Sequence, residues 1–242
     1  MPLRAAVTIA ALALPGAALA DTGCLTPDSI KGGVTVTVKG GGTQTYRAKG
    51  KDVQAEVPVL AGGSGFVADL TLAGGLHVIS DHRTEHEAAP DVPEGAVLVG
   101  GNDGGTTTTS YRFAALPRPG KDWSGKVRVT RDQDGPSIGP QPTIKGHLAA
   151  EVSFLPEETV QISGCSYRIR PVETRFTLAA DSRFTLDGEP MLAMEEALGQ
   201  VLLSRRQIWF PDLGFAVITR ERGAESGWSE DWGQGIIGLA AQ

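Results

Sequence analysis

GVTVTVKGGGTQTYRA, residues 33–48, carries the reading that decides the fold class. Val34, Val36 and Val38 alternate with Thr35 and Thr37, the two-residue period of a strand with one face buried. Gly40-Gly41-Gly42 supplies a turn, and Thr43 to Ala48 returns as the hairpin partner. The same grammar continues outward. Val53–Leu60, Phe66–Leu72 and Leu76–His82 read as further strands, parted by Gly62-Gly63 and Gly74-Gly75. The charged, proline-ended run Asp81 to Pro93 reads as a loop. Beyond it, Ala96–Val99, Thr106–Phe113 and Val127–Arg131 resume the strands, with an irregular crossing at Leu116 to Trp123. Pro136, Pro140 and Pro142 then mark a candidate boundary between two lobes.

The second half repeats the pattern at Ile144–Leu155, Thr159–Cys165, Val172–Ala180, Arg183–Leu186, Val201–Phe210 and Phe215–Arg222. One short helix is expected near residues 190–198, where Pro190 suits a first helical position and Met191 to Ala197 all favour helix. The tail beyond Gly223 carries Trp228, Trp232, Ile236 and Ile237, apolar residues that a packed segment would use. A chain of 242 residues with 32 glycines and many short strands is mostly β. Its architecture is an antiparallel sandwich or a strongly curved sheet, a partial barrel.

The first twenty residues read as a signal peptide. Arg4 precedes an apolar run from Ala5 to Leu14, and Ala18-Leu19-Ala20 is a small-residue cleavage signature. The mature part, residues 21–242, is then a single β domain, or two lobes of about 21–135 and 143–242. Export makes the two cysteines a disulfide, Cys24–Cys165, tying the mature N-terminus to the middle of the chain. A loop of that length contributes roughly 5 kcal/mol at most by chain entropy. The formal charge of −6 argues against nucleic acid as a partner. No stretch of the mature part is apolar for long enough to form a transmembrane helix.

Residues that carry chemistry are sparse. Leu76 to Glu87 holds three of the 4 histidines, with carboxylates among them. His82 and His86 are weak metal candidates, because on a strand they stand about 13 Å apart. No nucleophile elbow, P-loop, dinucleotide fingerprint or His-Glu-x-x-His occurs, so no catalytic residue and no cofactor is assigned. All 3 tyrosines precede an arginine, at Tyr46-Arg47, Tyr111-Arg112 and Tyr167-Arg168. Strand alternation accounts for this pattern, with tyrosine facing inward and arginine in water.

Two motifs carry a resemblance. Ile208 to Ile218, IWFPDLGFAVI, and Gly164 to Glu173, GCSYRIRPVE, are similar to segments of uncharacterised exported β proteins of Gram-negative bacteria. The resemblance implies an envelope location and a β fold, and no chemistry. The expectation is a soluble periplasmic or secreted protein with a non-catalytic binding or structural role. Its partner would be an envelope protein, a glycan or a lipid. Two alternatives remain open, a carrier of lipid or another small hydrophobic ligand, and an enzyme whose site is assembled from distant strands.

Overall fold

The computed structural model describes residues 23–39, 42–61, 64–86, 105–134, 143–190, 199–223 and 235–242. Side chains are described within these segments except at 59–61, 64–66, 85–86 and 222–223. The segment 1–20, read as a signal peptide, lies outside them, as do Ala96–Val99, the proline-bearing stretch 135–142 and residues 191–198 of the helix expected at 190–198. Pro190 is paired in a strand, and the short helix that is described is α1 (Ser29–Gly32), just ahead of the first strand.

The valine–threonine alternation at the start forms β1 (Val34–Val38), with Val34, Val36 and Val38 buried and the threonines half-buried. It is followed by β2 (Gly42–Lys49), β3 (Asp52–Ala61), β4 (Ser64–Ala73), β5 (His77–His86), β6 (Thr106–Phe113), β7 (Trp123–Asp134) and β8 (Thr143–Phe154). Each of these eight pairs antiparallel with the next, a continuous meander. The pairing of β7 with β8 joins the two candidate lobes edge to edge, from Trp123↔Val152 to Asp132↔Thr143.

β9 (Glu158–Ile162) pairs with the first part of β10 (Cys165–Thr177). At Pro171, which has no N–H to donate, β10 changes partners. Up to Ile169 it pairs with β9, from Arg170 it pairs with β13 (Val201–Phe210), and from Val172 with β8 as well. The buried side changes there too, from Cys165, Tyr167 and Ile169 to Val172, Thr174 and Phe176. Two short strands, β11 (Phe184–Leu186) and β12 (Glu189–Pro190), extend the sheet beside the first part of β8. β13 pairs with β14 (Phe215–Gly223), and β15 (Ile236–Ala241) pairs with β1. Of the apolar tail, Ile236 is half-buried and Leu239 buried, Ile237 is exposed, and Trp228 and Trp232 lie outside the described segments.

All described strands but β9 follow one sheet, running from β14 through β13, β10 and β8 down to β1 and β15, nearly closed into a barrel. The closure is made by side chains and one backbone crossing. Leu239 N donates to Ser163 Oγ at 3.3 Å, bringing β15 to the turn after β9. β14, formally an edge strand, is buried from Phe215 to Thr219. Its outward backbone groups meet β2 and the turn between β4 and β5. Ile218 N donates to Tyr46 Oη at 3.1 Å, Gln44 Nε2 donates to Ile218 O at 2.9 Å, and Ala216 N donates to Gly75 O at 2.7 Å. Gly75 is required at that crossing, because its φ is +74° and a Cβ would stand 2.0 Å from Gly214 O.

One reading is corrected. Asp81 to Pro93 reads as a loop from its charges, yet β5 continues through Asp81 to His86 and pairs on both sides as far as Thr84. Residues 87–93 lie outside the described segments. The charges mislead because Asp81 and Arg83 belong to the inner face, in register with Leu70 and Ala68 of β4.

Candidate functional site

The inner face carries aliphatic side chains along most of its length, Val53, Leu72 and Val78 across one row, Val127 and Leu148 across another. Four charged side chains interrupt it. Asp81 and Arg83 stand two apart on β5, so they share a face. Arg205 on β13 stands directly opposite Glu221 on β14. β10, β8, β7 and β6 separate β13 from β5 along the sheet, so the two pairs meet across the interior.

The contacts are dense. Arg83 grips Asp81 with both arms, Nε to Oδ1 at 2.9 Å and Nη2 to Oδ2 at 2.7 Å, and its Nη2 also reaches Glu221 Oε1. Arg205 donates from Nε to Glu221 Oε2 at 2.9 Å. Its Nη2 lies 2.8 Å from the same oxygen and 3.6 Å from Asp81 Oδ2, in neither case in line for a well-directed hydrogen bond. The Arg205 guanidinium lies over the ring of Tyr111, 5.8 Å from its centroid, and Tyr111 packs on Phe176 at 5.3 Å. Arg205 and Asp81 side chains are each 2% exposed, Glu221 19% and Arg83 32%.

Burial sets the electrostatics and the pairing answers it. Desolvation alone would raise the Glu221 carboxyl, but Arg83 and Arg205 more than offset it and hold the group at about 2. Desolvation also works against both guanidinium charges, and the facing carboxylates outweigh it, so each arginine is held above its ordinary range. Burial pushes the Tyr111 hydroxyl up. The cluster is therefore two cations and two anions at neutral pH, each committed to the others.

A second buried polar group sits at the opposite end of β5. His77 is 5% exposed, its ring 5.9 Å from that of Phe113, and its Nε2 lies 3.1 Å from Pro117 O. A carbonyl only accepts, so Nε2 carries the hydrogen. Burial lowers the ring to about 4, which keeps it neutral.

Cys24 and Cys165 are bonded, with an S–S distance of 2.01 Å. Beside them Leu25 N donates to Tyr167 Oη at 3.0 Å. The three Tyr-Arg pairs follow the alternation, with Tyr46, Tyr111 and Tyr167 buried and Arg47, Arg112 and Arg168 exposed. His82 faces outward and its Nδ1 lies 2.8 Å from Thr108 Oγ1. It stands in the cross-strand row Glu56, Asp69, His82, Thr108, Asp132. His86 is on the same strand, opposite Gly65, and its side chain lies outside the described set. Among the described residues no group of three or more His, Cys, Asp or Glu side chains is gathered to hold a metal ion.

Sequence reasoning missed the ionic cluster altogether. Its one usable signal was Ser204-Arg205-Arg206-Gln207 inside a strand whose flanks are apolar, because consecutive arginines there cannot both face water. No family model, curated protein or solved structure matches the chain in comparisons with known proteins.

Proposed function

We propose that this chain is an exported, non-catalytic β protein with a binding or structural role in the envelope of a Gram-negative cell, periplasmic or secreted. The kinship with exported β proteins suggested by the GCSYRIRPVE and IWFPDLGFAVI segments is part of the same proposal. The observation that carries the non-catalytic reading is the mutual neutralisation of Asp81, Arg83, Arg205 and Glu221. A general acid or base works best with a pKa near the operating pH and a face open to substrate. Here the buried carboxylate is held at about 2 by two arginines, and the buried histidine is held neutral against a backbone carbonyl.

Three further features support the proposal. The disulfide fits an oxidising compartment. The outward row Thr45, Glu56, Asp69, His82, Thr108, Asp132 and Thr143 crosses seven strands with polar side chains, a surface suited to water rather than lipid tails. No helix among the described residues is long and apolar enough to cross a membrane. The carrier alternative calls for an apolar interior wider than side chains fill. The described interior is instead bridged by Arg205 on Tyr111 and Tyr111 on Phe176.

Two measurements test the proposal. Expressed with its own leader, the protein should be recovered from the periplasm or medium as an oxidised monothiol-free chain; recovery from the cytoplasm with both thiols alkylatable would overturn the compartment. Purified protein should turn over none of a panel of chromogenic esters, phosphomonoesters, glycosides and peptides. Turnover that disappears in a folded Glu221→Gln variant would overturn the non-catalytic role.

A further inference from the structure

One array on the outer face sets cationic side chains directly against one another. Arg112 on β6 stands directly opposite Arg128 on β7, and Arg128 directly opposite His147 on β8. The adjacent row on the same face is Ser110, Thr130 and Lys145, again directly opposite one another. The alternation fixes the orientation of all six, since Tyr111, Val127, Val129 and Leu148 between them are buried inward. Directly opposed residues have Cβ atoms about 4.5–5.5 Å apart, and the two rows are separated by about 6.7 Å.

Like charges directly opposite one another weaken a sheet. Arg112 and Arg128 are both exposed, and neither has a carboxylate partner among the described residues. The acid beside His147, Asp181, is already engaged. It is hydrogen-bonded to Lys126, which holds its carboxyl below the ordinary range, and it lies 4.0 Å from His147 Nε2. That histidine nitrogen is buried and has no hydrogen-bond partner. A chain of net charge −6 thus concentrates Arg112, Arg128 and Lys145 on one small area, at a cost to its own sheet.

We propose that this array is an oxyanion-binding site for a phosphate group, clamped between the Arg112 and Arg128 guanidiniums. Each guanidinium presents a planar fork of donors that matches a tetrahedral oxyanion. An anion between them turns the repulsion of the pair into two charge-assisted attractions. Ser110 and Thr130 supply hydroxyl donors from the adjoining row, and Lys145 adds a point charge beyond Thr130. Two sources carry such a group, a phospholipid headgroup and a soluble phosphate, and the site chemistry is common to both. The proposal stands independently of the interior cluster and of the non-catalytic role.

The test uses the disulfide-bonded chain. Thermal unfolding is followed with inorganic phosphate against chloride at matched ionic strength. In parallel, co-flotation is measured with vesicles of phosphatidylcholine alone and of phosphatidylcholine containing phosphatidic acid. The wild type should be stabilised saturably by phosphate or float with the phosphatidic acid vesicles; the first result alone identifies a soluble source, the second a headgroup. Arg112→Ala and Arg128→Ala should each weaken binding about 10–100-fold, the worth of one charge-assisted hydrogen-bonding arm. Both variants should melt roughly 1–2 °C higher than wild type without phosphate, because the opposed charges are relieved. Arg112→Glu should also be more stable and should bind nothing, since it pairs with Arg128 internally. Lys121→Ala, outside the array, should behave as wild type. Absence of both responses in the wild type, or binding that survives unchanged in Arg112→Ala and Arg128→Ala, would overturn the site.

Discussion

Arg205 is fully buried yet charged, and the consequences of removing it follow from what it leaves behind. Arg205→Met strands the Glu221 carboxylate beside Arg83 alone, inside the barrel. Breaking a buried ion pair in this way costs about 3–5 kcal/mol. Denaturant midpoints should fall accordingly. The double variant Arg205→Met/Glu221→Leu removes one cation and one anion together and leaves Asp81 gripped by Arg83. It should recover most of the loss, so that the two substitutions are strongly non-additive. Simple additivity of the two losses would mean that the four side chains are not one unit. His77 gives a pH signature. Its folded pKa of about 4 lies below its ordinary value of 6.5, so protonation favours the unfolded chain. The stability contributed by neutral His77 is complete above about pH 6.5 and declines as the pH falls toward about 4, by on the order of 3 kcal/mol. His77→Gln keeps an N–H for Pro117 O and has no proton to gain, so its stability should stay flat across that interval. A variant whose profile still matches the wild type would assign the decline to another group.

β14 shows how a strand at the end of a sheet is kept from seeking a partner in another molecule. Its free edge is not exposed, since Tyr46, Gln44 and Gly75 satisfy Ala216 and Ile218 as a neighbouring strand would. Tyr46→Phe removes the acceptor for Ile218 N and the donor that Gln44 Oε1 receives at 2.5 Å. It should cost about 1–3 kcal/mol, the penalty of a buried donor left unpaired. Amide exchange at Ile218 should be slow in the wild type and should quicken in Tyr46→Phe more than at interior strands. Equal acceleration everywhere would mean only global destabilisation. The strands themselves were legible because apolar–polar alternation survives translation into burial, as Val34–Val38 and the inward tyrosines show. What failed was the rule that charge marks water. Asp81 and Arg83 continue a strand inward, and the register shift between Thr71 and Leu72 inserts an extra residue that breaks the period just ahead of them. The partners that make those charges tolerable, Arg205 and Glu221, lie more than a hundred positions away. No local pattern connects them.

At the scale of the whole molecule, the disulfide ties the segment ahead of the first strand to the start of β10, beside the turn on which β15 closes. Cys24 lies ahead of α1, and Cys165 begins β10 beside β9, against which β15 also rests through Ser163. Cys24→Ala, or reduction of the wild type, should lower stability by about 2–4 kcal/mol and the melting temperature by roughly 5–15 °C. Cys24→Ala/Cys165→Ala should be no worse than either single variant. Single variants that melt within a degree or two of the wild type would show that the closure holds without the bond. The cysteine pairing was legible from there being 2 cysteines in a chain expected to be exported. The manner of closure was not, because it rests on Gln44, Tyr46 and Ser163, whose polar side chains look like surface residues until their partners are in place.

The pairing of β1 with β15 has a kinetic consequence. Val34 pairs with Ala241 and Gln242 N donates to Gly33 O, so the first strand of the meander waits for the last before both its edges are occupied. Contacts this distant along the chain slow folding, since the closure entropy must be met before the pairing rewards it. A nascent chain crossing a membrane from its N-terminus would hold β1 to β8 as an unfinished, sticky ribbon until β13 to β15 emerge. During that interval its fate depends on what shields the ribbon, and oxidation of Cys24 with Cys165 is the first long-range tie that can form. On the proposed export route, factors that delay collapse and oxidants that act early should therefore govern yield far more than they alter the finished molecule.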